Sequence, residues 1–261
     1  MKQSILLFIF SVFLNFGLVF GQDNKLNDPE NLLTRQEKAA IEAAVNYISD
    51  FYSRIFTDKT VYFSDIKFTI IPNYIAYMLY QAENSNTVYQ SAGYYSHSKR
   101  ELVVCNDKDK FKNTFLNTCF HELSHALLHQ YADEKNIPAW FNEGLAVYFA
   151  KMTYSSRRVR HQKDTHQIAR LKTLIELREI NLAEFVDWDY HRFSTESFTQ
   201  ESYGYAIGYG MVYFLMKQKN EAQVFEIFRN LIGAESTIDV FDSYYEGGFA
   251  QFEKDFMAYF S

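Results

Sequence analysis

The chain has 261 residues, of which 48% are hydrophobic and 18% aromatic, with only 10 Gly and 3 Pro. That length and apolar content suffice for the core of one domain, or of one domain with two lobes, and exclude a disordered, collagen-like or repetitive polymer. A formal net charge of −6 excludes general nucleic-acid binding, which needs a surplus of Lys and Arg to neutralise phosphates.

In chain order, Lys2 precedes an apolar run over residues 5–20, and small or polar residues surround Gly21. This is the pattern of a secretory signal over residues 1–21, with cleavage expected between Gly21 and Gln22. The run is shorter than the ~20 residues of a spanning helix. Residues 22–261 are then expected to form one exported domain, periplasmic or secreted, with no stable membrane span; an uncleaved anchor is the competing reading. Residues 32–56 carry apolar side chains at helical spacing behind a capping box of Thr34 and Glu37. Residues 61–80 are β-branched and alternating, and residues 87–106 read as two strands around a polar turn at 97–99. From Asp107 onward the pattern is helical. One long helix is expected near 112–132, then a polar break at 133–138, then a second helix opened by Pro138. Residues 155–164 form a basic connector, and the rest is mostly helix. The expected fold class is α+β, with a small N-terminal lobe built on a mixed sheet (22–106) and a helical lobe (107–261).

The segment "HELSH" lies on the first of those helices. His121 and His125 are four residues apart, so both imidazoles face one point. Glu122 projects about 100° away, too far to join a compact ligand set but near enough to hold a water. Two imidazoles, one carboxylate and an open position make the ligand set of a catalytic zinc. Glu143, early on the returning helix, is placed to supply that carboxylate; its other reading is a first-turn acid satisfying free backbone N–H groups.

"HELSH" followed by "WFNEGLAVYF" resembles the gluzincin metallopeptidases, the thermolysin-like and aminopeptidase-N-like clan. Trp140, Asn142, Glu143, Gly144 and Ala146 match the second block. The resemblance covers residues 92–215 and implies a thermolysin-like zincin domain. It implies one Zn2+ per chain on His121, His125 and Glu143, with Glu122 as general base and a peptide or protein as substrate. It also implies a tyrosine that hydrogen-bonds the reacting oxygen, in a Y-x-x-G context. "YAIGYGMVYFL" offers Tyr205 with Gly208 for that role, and Tyr203 next. The G-x-M-E-N exopeptidase block of the aminopeptidases is missing, which leaves endo- against exo-cleavage open. The position where thermolysin-like relatives carry an acid to support a ligand histidine is Val147 here. The strand ahead of the metal helix is where this clan holds extended substrate; Gly93 there permits close backbone approach or marks a bulge.

Other features carry blander readings. His129 continues the helical spacing of His121 and His125, but a partly buried polar histidine is expected there. Arg157, Arg158, Arg160 and Lys163 read as a solvated face rather than a carboxylate anchor. Cys105 and Cys119 are open to pairing or to burial as free thiols. The alternative to a peptidase is an inactive zinc-binding protein on the same fold that holds peptides or proteins. Oligomeric state leaves no trace in the sequence.

Overall fold

The computed structural model describes residues 17–20, 26–27, 31–56, 66–84, 91–111, 114–132, 135–199, 203–217 and 220–261. Its fold is α+β: two strands, β1 (Gly17–Phe20) and β2 (Leu26–Asn27), then helix α1 (Arg35–Ile55), strand β3 (Lys67–Ile71), helix α2 (Tyr74–Asn84) and the hairpin β4 (Gly93–Ser96) and β5 (Glu101–Cys105). A short α3 (Lys108–Phe111) leads into α4 (Phe115–Ala132) and α5 (Ala139–Ala150). The hairpin β6 (Met152–Ser155) and β7 (Arg158–His161) follows. Among the described residues seven helices follow: α6 (Thr165–Glu176), α7 (Leu182–Phe185), α8 (Tyr190–Thr199), α9 (Tyr203–Met216), α10 (Glu221–Leu231), α11 (Thr237–Tyr244) and α12 (Gly248–Phe260).

The expected cleavage point between Gly21 and Gln22 lies outside the described residues. Within the expected signal only β1 is described, and it pairs antiparallel with β3. No described helix is long and apolar enough to cross a membrane.

The sheet is mixed, in the order β2-β1-β3-β5-β4. β3 and β5 run parallel, and β4 is an antiparallel edge strand. Side chains alternate across it. Phe68, Ile70, Leu102 and Val104 enter the main core, while Ile71, Tyr94, Val103 and Cys105 form a second cluster with Tyr77 and Tyr80 of α2. The main core continues without a break through α1, α4, α5, α9 and α12.

α1 forms where its cap predicts. The Glu37 backbone N–H donates to Thr34 Oγ1 at 3.2 Å, and the Thr34 N–H donates back to the Glu37 carboxylate at 2.8 Å. Its apolar stripe packs on α4, and Tyr52 meets Ser124 on the rear of α4, hydroxyl to hydroxyl, at 3.0 Å.

Two expectations are corrected. Residues 74–84 are helical rather than β: Tyr77, Tyr80 and Gln81 are buried on one helix face while Ile75 and Leu79 are exposed. Tertiary packing of the aromatics outweighs their β propensity here. The basic connector is the β6–β7 hairpin, turned by Ser156 and Arg157 with φ of 51° and 60°. Both central residues at positive φ are what a tight two-residue turn requires, although neither is Gly or Asn.

Candidate metal centre

α4 presents His121 and His125 from its inner face, one turn apart, with their Nε2 atoms 3.1 Å from each other. At the start of α5 the Phe141 and Asn142 backbone N–H groups both donate to Pro138 O at 3.0 Å. α5 thereby brings Glu143 Oε2 to 3.4 Å from His121 Nε2 and 3.6 Å from His125 Nε2. Three donor atoms at these separations match the edges of a tetrahedron whose centre lies about 2 Å from each, the ordinary metal–nitrogen and metal–oxygen distance. His121, His125 and Glu143 can hold a metal ion, and among the described residues they are the one His/Cys/Asp/Glu group of three or more that meets that test.

The donor chemistry agrees with the spacing. Glu143 Oε2 is buried and receives no hydrogen bond, a costly state unless a cation completes it. Burial disfavours charge on both Glu143 and His121, yet each counters the other. The neighbouring imidazoles hold Glu143 below the usual carboxylate range, and Glu143 holds His121 above the usual imidazole range. His125 Nδ1 lies 2.8 Å from Asn142 Oδ1. An amide oxygen accepts only, so Nδ1 carries the proton, and in the neutral imidazole that leaves Nε2 as the lone pair toward the centre. The Asn142 Nδ2 amine in turn donates to the Tyr190 hydroxyl at 2.7 Å.

Glu122 is 6% exposed and stands outside the ligand group. Burial raises its pKa; His121 and His125 pull it back, Glu143 pushes it further, and the Tyr95 backbone N–H donates to it. β4 reaches that close because of Gly93. A Cβ there would lie 2.7 Å from Thr118 Cγ2 and 2.9 Å from Val103 O, with Glu122 Cγ at 3.4 Å. Gly93 therefore serves close approach to α4.

The outer rim of β4 is a usable edge. The Cys105 N–H donates to Ala92 O, whereas the Lys67 N–H donates to Arg100 O and the Asn106 N–H to Ile71 O. By alternation, Ala92, Tyr94 and Ser96 pair with β5, and the backbone groups of Gly93 and Tyr95 face away from the sheet, where Gly93 O accepts from Ser91 Oγ and the Tyr95 N–H donates to Glu122, leaving the Gly93 N–H and the Tyr95 C=O.

Tyr205 arrives on α9. Its pKa is raised first by the charge of Glu143, then by burial, then by Glu122, which puts its hydroxyl in the field of both carboxylates. The contact that seats α9 is glycine on glycine: a Cβ on Gly144 would lie 2.5 Å from Gly208 O, and one on Gly208 would lie 2.8 Å from Trp140 O. The other candidate tyrosines are engaged elsewhere. Tyr203 donates to Glu179 O and stacks on Trp188, Tyr209 accepts from the Asp164 N–H, and Tyr213 carries Lys217 over its ring.

Sequence reasoning missed two residues. Asn142 stood inside the quoted W-x-N-E-G segment and supplies the support for a ligand histidine that Val147 cannot; Val147 lies in the core. Tyr190 had no sequence signal, since nothing in "DWDYHRF" sets it apart from other aromatics. His129 stays outside the metal group; its ring lies 4.6 Å from that of His97, and burial lowers its pKa to about 4. Arg157, Arg158 and Arg160 lie on the β6–β7 hairpin and Lys163 just beyond it, and none of them joins the ligand group. A cavity of about 550 Å³ lined by Leu215, Tyr245 and Asp255 shares no residue with the centre.

No curated protein matches the chain. A family model described as a protein of unknown function (DUF1570) matches residues 116–235, a span that holds the three ligand candidates, Glu122, Asn142 and both site tyrosines.

Proposed function

We propose that the chain is an exported zinc-dependent peptidase of gluzincin type, with His121, His125 and Glu143 as ligands of one zinc ion. The observation that carries this reading is an orphaned buried carboxylate oxygen converging with two imidazole nitrogens, beside a second buried carboxylate and a tyrosine. The thermolysin-like and aminopeptidase-N-like resemblance of the "HELSH", "WFNEG" and "YAIG" blocks supports it independently.

Zinc held by these residues would supply the Lewis acidity that polarises a scissile carbonyl and brings a water toward ionisation near neutral pH. Glu122 accepts the proton of the attacking water and passes it to the departing amine. Its burial favours both transfers, because a raised pKa lies nearer the working pH. Tyr205 donates its hydroxyl hydrogen to the oxygen that gains charge. The fields of Glu143 and Glu122 keep that phenol protonated, and loss of one such donor typically costs about 10²–10³ in rate. The outward Gly93 N–H and Tyr95 C=O offer an extended peptide a strand to join, which sets the register of the substrate.

The test is metal stoichiometry and peptide-library cleavage on the same purified samples of wild type, Glu143→Ala and Glu122→Gln. One zinc per chain, weakened in Glu143→Ala, together with cleavage lost in Glu122→Gln while its zinc is kept, is the expected result. A zinc-loaded wild type without turnover overturns the peptidase in favour of a zinc-dependent binding protein. A folded chain that takes up no metal overturns the centre itself.

A further inference from the structure

An asparagine side chain has nearly the same shape in either orientation of its amide, but the two orientations are chemically opposite. With Oδ1 toward His125, Asn142 accepts from Nδ1–H and leaves Nε2 as a lone pair. Turned over, it would present an N–H to Nδ1, force the ring proton onto Nε2, and close that nitrogen to a cation. Asn142 is 3% exposed, so water is a poor arbiter between the two states. The arbiter on its other side is Tyr190, the first residue of α8, whose oxygen lies 2.7 Å from Asn142 Nδ2. A phenol oxygen can accept or donate. At that distance the Asn142 amine donates and a lone pair of the Tyr190 oxygen accepts.

We propose that Tyr190 is a positioning residue of the metal centre: by accepting from Asn142 Nδ2–H it locks the amide with Oδ1 toward His125, and so selects the imidazole tautomer that can bind a cation. The chain Tyr190–Asn142–His125 runs from a half-exposed ring at the start of α8 to the buried centre. Its consequence for catalysis rests on the peptidase reading; its consequence for the tautomer does not.

Tyr190→Phe in the full mature chain removes one oxygen and keeps the ring. Histidine-labelled protein without metal, at mildly alkaline pH, reports the imidazole nitrogens by NMR, and zinc affinity follows from competition with a chelator. Wild type is expected to show a single His125 Nδ1–H tautomer. Tyr190→Phe is expected to show a mixture and an affinity lowered by about 10-fold, the lower end of what an outer partner of a metal ligand contributes. Asn142→Asp replaces the reversible amide with a group that accepts in either orientation. In that background Tyr190→Phe should have no further effect on affinity. An unchanged tautomer and affinity in Tyr190→Phe, or an equal loss in both backgrounds, overturns the proposal. A wild type that binds no zinc but loses its Nδ1–H tautomer in Tyr190→Phe sinks the peptidase reading and leaves this one standing.

Discussion

Gly144→Ala places one methyl group where α5 and α9 touch. The new Cβ would meet Gly208 O at 2.5 Å, Gly208 C at 2.8 Å and Val212 Cγ2 at 3.0 Å. Two of these atoms are backbone, so no side-chain rotation relieves the clash. The helices must part by about 0.8–1.1 Å to restore an ordinary carbon–oxygen contact. Overpacking of this kind typically costs 1–3 kcal/mol, which for a chain of this size lowers Tm by about 2–12 °C. The separation also carries Tyr205, one turn before Gly208 on α9, away from Glu143. Misplacement by a fraction of an ångström to one ångström is expected to lower kcat by about 10- to 100-fold. Calorimetry gives the first quantity and steady-state cleavage the second. Gly208→Ala, whose Cβ would face Trp140 O, should behave alike. A Gly144→Ala protein with unchanged Tm and unchanged kcat would refute the claim that this contact sets the tyrosine's distance.

The two neighbouring tyrosines of α9 should separate in assay: Tyr205→Phe loses about 10²–10³ in turnover and keeps its zinc, whereas Tyr203→Phe loses only its bond to Glu179 O and cleaves like wild type. Glu101 gives a pH dependence. Burial alone would raise its pKa, but Lys67 Nζ at 2.7 Å, the Tyr80 hydroxyl at 2.6 Å and Thr69 Oγ1 at 2.7 Å prevail and hold it below the usual carboxylate range. A depressed folded-state pKa contributes stability above the unfolded value, about 4.3, and that stability is lost as pH falls through the folded value. Thermal melts of wild type and Glu101→Gln should therefore differ at neutral pH and converge below roughly pH 4; a constant gap would refute the assignment. Both cysteines are buried free thiols, with burial pushing Cys105 up to about 11 and Cys119 well above the usual thiol range. Native protein should resist alkylation and denatured protein should take two labels; rapid labelling of the native fold would contradict their placement.

Local signals were legible in the sequence where one short segment determines the outcome. The Thr34 and Glu37 cap, the β4–β5 hairpin, the α4–α5 turn and the spacing of His121, His125 and Glu143 depend on residues within a few turns of each other. What stayed hidden depends on contacts between distant segments. The helical state of residues 74–84 is decided by which aromatics find the outer face of the sheet, and local propensity pointed the other way. Tyr190 meets Asn142 across 48 positions, and no periodicity announces such a meeting. The two thiols are separated by their places in the fold: Cys105 joins the cluster under α2 and Cys119 the main core. Alternation along β5 indicates that Cys105 points to one face, but not which helix covers it.

His121, His125, Asn142 and Glu143 all belong to the α4–α5 hairpin, residues 121–143, whereas Tyr190 and Tyr205 arrive from helices made later in the chain. Closing so short a loop costs little entropy. Capture of a metal ion by the hairpin and docking of Tyr205 are thus separable events in the assembly of the molecule, while docking of Tyr190 tunes the first. If the proposed function holds, a refolding chain should take up zinc before it regains turnover, and metal content reports on the hairpin and Tyr190 but not on Tyr205.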